Sequence, residues 1–233
     1  MKVVFVGPSL PDAASHAAPG VDVRPPARQG DLMEAFAGGA KVVGLIDGYF
    51  EMVAPVWHKE ILYLLSQGVA VIGASSMGAL RAAECAPFGM IGIGRIFEDY
   101  ASGIRVDDAD VALQHGPAEL GYPPLTVPFV NVEATLGKAL SLGLLSADEC
   151  HALQSVAGQM FYKTRSWKSL SIQAGFDWPR IRSMLALAGV DQKKQDALQL
   201  LDAMTKLPDK QDLPGDWTFN ATPLWRKLYP NTA

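Results

Sequence analysis

An α/β fold with a mainly parallel, Rossmann-like sheet and a C-terminal helical region is predicted by three observations. Short β-branched runs at 3–6, 21–24, 41–46 and 69–72 alternate with segments of helical patterning. The runs at 41–46 and 69–72 are apolar without alternation, as strands covered on both faces are. From 131 onward the pattern is helical alone.

The chain has 233 residues, 49% of them hydrophobic, enough for one substantial α/β core with a helical appendage or for two small domains. The pattern divides it into an α/β core at 1–130, a helical region at 131–207 and an irregular tail at 208–233. A formal net charge of −4 supplies no global field for nucleic acid or an anionic membrane. The two cysteines, Cys85 and Cys150, have neither disulfide-framework nor metal-ligand spacing, and no cofactor fingerprint is present. The first apolar run is too short for a signal peptide, so a cytoplasmic protein is the expectation.

In order, Val3 to Val6 reads as the first strand, ended by Gly7-Pro8-Ser9. A second strand at 21–24 precedes a short helix at 32–36 between Gly30-Asp31 and Gly38-Gly39. The third strand delivers Asp47-Gly48-Tyr49-Phe50-Glu51 at its carboxyl end. Pro55 suits the first turn of a helix whose stripe is Trp57, Ile61, Leu64 and Leu65, with His58 in that first turn. Phe88 to Arg95 is a glycine-punctuated stretch read as close backbone packing or a loop, followed by helical pattern at 96–100. Val111-Ala112-Leu113 reads as a further strand, feeding a loop that carries His115 and Glu119. Helices follow around Leu136, after the Ser146–Glu149 capping box, at 180–188 and at 193–206. Tyr162 to Lys168, three basic and two aromatic residues, reads as a solvated helix end rather than a recognition strip. The tail, with Pro214, Gly215, Pro223 and Pro230, reads as irregular, and its Trp217, Phe219, Trp225 and Tyr229 as packing on the body or a partner.

Chemistry is expected where the fourth strand turns into an alanine-rich helix. Ala74-x-Ser76-x-Gly78 has the small-x-nucleophile-x-small form of a nucleophile elbow, which lifts a hydroxyl above the sheet edge. The following helix aims the first free N–H groups, Met77 and Gly78 among them, at an oxyanion beside Ser76. Ser75 fits less well as nucleophile, because Met77 then occupies a position that needs a small residue. Asp47, Ser76 and His58 are expected at the same sheet edge, where open parallel sheets bind ligands. Arg81 is a candidate for binding a carboxylate or phosphate, though with Glu84 it also forms an i, i+3 pair.

Asp47-Gly48-Tyr49-Phe50-Glu51, Val56-Trp57-His58-Lys59-Glu60-Ile61-Leu62, Ser76 to Glu84, Gly94-Arg95-Ile96-Phe97 and His115-Gly116-Pro117-Ala118-Glu119 together resemble the TfuA family. That resemblance implies work beside a YcaO-type, ATP-using enzyme in converting backbone amides of a peptide or protein to thioamides. Two parts in that process remain open for the chain: release of sulfide from a thiocarboxylated sulfur-carrier protein, or non-catalytic activation of the YcaO partner. A free-standing serine hydrolase is the third alternative. In the first, Ser76 attacks the thiocarboxylate carbonyl, His58 or His115 is the base, Asp47 orients it, and Met77 and Gly48 N–H groups hold the oxyanion. Gly78, Arg81 and Glu119 complete the expected substrate-binding set.

Overall fold

The computed structural model describes residues 1–49, 51, 53–208 and 217–232; Phe50, Pro214 and Gly215, singled out in the sequence, lie outside the described residues. Its core is a parallel sheet of five strands: β1 (Lys2–Phe5), β2 (Val21–Arg24), β3 (Val42–Leu45), β4 (Ala70–Ala74) and β5 (Ile91–Ile93). They lie in the order β2-β1-β3-β4-β5, so the chain reverses its direction of growth between β1 and β3. A crevice opens at that switch point, outside the carboxyl ends of the strands.

The helices interleave with the strands as α1 (Ala13–His16), α2 (Asp31–Ala37), α3 (His58–Ser66), α4 (Met77–Cys85) and α5 (Arg95–Ala101). Then follow α6 (Phe129–Ser141), α7 (Ala147–Gln159), α8 (Trp167–Gln173), α9 (Trp178–Ala188), α10 (Gln192–Lys206) and α11 (Pro223–Leu228). Alternate residues of each strand face opposite ways. Val3, Phe5, Val43, Leu45 and Val71 pack against α2, α3 and α4, while Val4, Val6, Ile46 and Ile72 meet α1 and α10. Helices α6 to α9 bury a separate core around Leu136, Leu153, Leu170 and Ile181.

Helix α10 leaves those four helices and lies on the sheet, burying Ala197, Leu200, Leu201 and Met204. Each large apolar side chain of that stripe contributes roughly 1.5–3 kcal/mol of transfer free energy. Both ends of α10 are engaged. Asp196 on its second turn accepts the Ile96 N–H of α5 at 2.9 Å, and Lys2 of β1 donates to the Met204 carbonyl at 2.6 Å and the Leu207 carbonyl at 2.9 Å. An ammonium at a helix C-terminus satisfies orphan carbonyls and complements the helix dipole.

Four local expectations need correction. Val111-Ala112-Leu113 is not a strand: a 3-10 turn at Asp108–Asp110, capped by the Asp107 carboxylate on Ala109 N–H at 2.8 Å, leads into an irregular segment. Val111 packs there with Ala79, Ile96 and Val130 instead of joining the sheet. Conversely, the glycine-punctuated stretch contains β5. Helix α3 starts at His58 with Trp57 as its N-cap, so Pro55 lies outside it. In the basic and aromatic stretch, Arg165 turns inward and donates to the Ala157 and Met160 carbonyls at 3.0 Å each, closing the end of α7.

The tail holds a helix, α11, where irregular chain is expected, and its aromatic residues pack on the body. Trp225 is fully buried, with ring centroids 5.2 Å from Tyr63, 4.9 Å from Phe219 and 4.5 Å from Tyr229. Beneath them, Glu60 of α3 is also fully buried; its Oε1 accepts Gly30 N–H at 2.8 Å and a long 3.5 Å contact from the Tyr229 hydroxyl. Its Oε2 has no partner among the described residues. Burial pushes the Glu60 carboxyl up to about 7 from its ordinary 4.5. The folded chain therefore keeps a proton that the unfolded chain has lost. Stability is full below the unfolded value and falls as pH rises through the folded one, by on the order of 3 kcal/mol at most. Glu60→Gln should remove that slope and stabilise the protein at about pH 9 in urea unfolding, while coming close to the wild type below about pH 4. Parallel pH dependence in both proteins would sink the assignment.

Candidate active site

The turn between β4 and α4 is compressed by contact with its neighbours. A Cβ on Gly78 would stand 1.8 Å from the Leu45 carbonyl oxygen of β3, and one on Gly73 2.1 Å from the Gly78 carbonyl. Only glycine permits that approach. The backbone then bends at Ser75, whose φ of +69° lies in the left-handed region, a strain of roughly 1–3 kcal/mol for a non-glycine residue. Ser75 is fully buried and its hydroxyl has no partner among the described residues. The strained residue is thus not the one presented. Ser76, one step on, lines a cavity of about 660 Å³ at the carboxyl edge of the sheet, together with Asp47, Gly48, Val111, His115 and Lys193.

Asp47 lies two residues past the end of β3 and ties the crevice shut from below. Its Oδ2 accepts Gly7 N–H at 2.8 Å and Ser9 N–H at 2.9 Å, and its Oδ1 accepts the Ser9 hydroxyl at 2.7 Å. Those bonds join the loops after β1 and β3. No histidine is among its partners; the group across from it is Lys193, with Nζ 4.0 Å from Oδ1.

Lys193 is the residue that sequence reasoning missed. It sits in the first turn of α10, its N–H bonded to Asn131 Oδ1 at 3.1 Å, and its side chain is 2% exposed. Nζ donates to Ser76 Oγ at 3.0 Å and to the Val111 carbonyl at 2.8 Å. Burial pushes the Lys193 ammonium below its ordinary value, against the smaller upward pull of the Asp47 and Asp191 carboxylates. One signal was available in the sequence: Lys193-Lys194 puts two cations at the positive end of a helix dipole, a placement that needs another reason.

The amides around Ser76 are unequally free. Gly78 N–H is taken by the Ile46 carbonyl at 3.1 Å. Met77 and Gly48 N–H groups have no acceptor among the described residues, and the two residues abut: a Cβ on Gly48 would meet Met77 Sδ at 2.2 Å. His115 reaches the same cavity from the loop after Val111. Its Nδ1 lies 2.7 Å from the Gly116 carbonyl, and the Tyr122 ring stands edge-on 5.5 Å away.

A family model described as TfuA-like protein matches residues 47–166, just over half of the chain. The protein belongs to the TfuA family. Membership links it to thioamide formation and to partners of the YcaO type. No curated protein matches the chain.

Within this TfuA-like protein the matched span holds Asp47, Ser76 and His115, whereas Lys193 lies beyond it on α10. His58 and Arg81 open on a different cavity, of about 320 Å³, beside Trp57 and Leu224. There Glu84 Oε2 accepts from Arg81 and pairs with His58 Nε2, both at 2.7 Å, and Arg81 Nε also donates to the Val56 carbonyl at 3.2 Å. Desolvation raises the Glu84 carboxyl, but those two bonds together hold it below its usual value. Glu119 lies exposed on the 3-10 turn Ala118–Leu120. Burial, with the Glu84 charge, pushes the Cys85 thiol up to about 12, which favours the thiol over the thiolate, and its side chain packs in the core beneath α4. Among the described residues, no helix is long and apolar enough to cross a membrane.

Proposed function

We propose that this TfuA-like protein releases sulfide for thioamide formation by hydrolysing a thiocarboxylated sulfur-carrier protein, with Ser76 as nucleophile and Lys193 as its base. One observation carries the reading: a fully buried lysine Nζ 3.0 Å from the hydroxyl of a strand-to-helix turn. The YcaO-type partner then uses the sulfide on a peptide backbone amide.

A lysine can serve as base only when neutral, and burial favours its neutral form. The uncharged amine accepts the Ser76 proton as Oγ bonds to the thiocarboxylate carbon. The charge that develops on the carbonyl oxygen is met by the Met77 N–H at the start of α4 and the Gly48 N–H in the loop after β3. As the intermediate collapses, the C–S bond breaks with its electron pair on sulfur. The proton held on Nζ passes to that sulfur, and hydrosulfide departs. Lys193 is neutral again, and the carrier remains attached to Ser76 as an ester. Water hydrolyses that ester to a carboxylate. No metal or redox step is required by this sequence of bonds.

The test is sulfide release from a thiocarboxylated carrier by the isolated protein, without its YcaO partner, together with covalent capture by a fluorophosphonate. Sulfide release and a single label on Ser76 are expected. No sulfide and no label, alongside undiminished stimulation of the YcaO enzyme, would overturn the reading in favour of a non-catalytic activating subunit. Turnover of simple esters with no action on the carrier would favour a free-standing hydrolase instead.

A further inference from the structure

Lys193 explains the attack of Ser76 but not the removal of the acyl group. It is enclosed, and its Nζ is already engaged by Ser76 Oγ and the Val111 carbonyl. An attacking water arrives from the open side of the cavity, and its proton needs an acceptor there. Of the carboxylates in the lining, Asp47 is occupied by the loop after β1 and Glu51 is paired to Lys163 at 2.6 Å.

His115 has the missing lone pair. A carbonyl oxygen can only accept, so the 2.7 Å contact with Gly116 puts the proton on Nδ1 and leaves Nε2 as an acceptor. The ring is held in place. The Tyr122 edge supports it, and pairing of His115 with Pro124 across an isolated bridge fixes its backbone. Among the described residues Nε2 has no partner, and His115 lines the cavity that contains Ser76.

We infer that His115 is a second base, used only to hydrolyse the acyl-serine; the inference rests on the Ser76 reading above. Water oxygen bonds to the acyl carbon as one water proton moves to His115 Nε2. The C–Oγ bond breaks with its electron pair on Oγ, and the second water proton reaches Oγ through the neutral Lys193 amine. The acyl group leaves as a carboxylate, and His115 returns its proton to solvent. Attack and release thus have separate bases lining one cavity.

The full chain with 4-nitrophenyl acetate separates the two steps. The wild type should show a burst of nitrophenolate followed by steady turnover. In His115→Asn the burst should persist while steady turnover falls about 100-fold, with acetyl accumulating on Ser76 by mass spectrometry. A retained burst also shows that the variant folds. Added imidazole should restore turnover to His115→Ala, which a purely structural histidine would not allow. Unchanged turnover in His115→Asn, or burst and turnover lost together, overturns the second base and leaves the Ser76 reading standing. If the wild type itself acquires no acetyl group on Ser76, both readings fall.

Discussion

Ser76→Ala and Lys193→Met should each lower sulfide release from a thiocarboxylated carrier by about 10³-fold or more, because nucleophile and base act as one unit. For the same reason the double variant should be scarcely worse than either single one. The pH dependence provides the sharper test. Activity requires neutral Lys193, so the rate should rise with pH through a pKa below the ordinary lysine value of about 10.4. Burial is the cause of that depression, and the Asp47 carboxylate opposes it. Asp47→Asn should therefore move the rising limb to lower pH. The substitution is compatible with the local bonds: the asparagine oxygen can take the place of Oδ2 toward Gly7 and Ser9 N–H, and its amide can donate to the Ser9 hydroxyl, which now accepts. A rate profile indifferent to both Lys193 and Asp47 would remove Lys193 from the chemistry.

Gly78→Ala should destabilise the fold by about 3 kcal/mol or more, far beyond the cost usual for a single methyl group. The added carbon would lie 1.8 Å from a backbone oxygen of β3, which no rotamer change can relieve. Helix α4 would have to lift off the sheet, breaking the Gly78 N–H bond to Ile46 and displacing Ser76. Gly137 of α6 is the control, because a Cβ there meets nothing within 4 Å. Gly137→Ala should stabilise by roughly 0.5–1 kcal/mol. Urea midpoints of the two variants should move in opposite directions; a shared direction would mean that the close approach of α4 to β3 is not what demands Gly78.

The sheet was legible because each strand declares itself locally. Val42 to Leu45 and Val71 to Ile72 are continuously apolar, and the glycines that punctuate their ends are visible in the chain. The tight turn from β4 to α4 was legible for the same reason, with its backbone strain at Ser75 and not Ser76. Local signals failed where a residue's partner is remote. Val111 to Leu113 has the composition of a strand, but the neighbours of Val111 in space are Ala79, Ile96 and Val130. Trp225 lies in a proline-rich tail and yet is buried against α3. His58 shares a sequence motif with Glu60 but pairs with Glu84, opening on a different cavity from Ser76. Lys193 is separated from Ser76 by 117 positions, a distance over which residue spacing carries no information.

That separation also orders events during synthesis. A ribosome completes all five strands and the serine turn long before it reaches α10. Until α10 emerges, Val4, Ile46 and Ile72 lack the apolar cover that Leu200 and Met204 provide, and Ser76 lacks its contact with Lys193. Docking of α10 closes a loop of 117 positions between Ser76 and Lys193, a contact that carries a large loop-closure entropy cost. The nascent chain thus acquires the last cover of its sheet and the Lys193–Ser76 contact in one event.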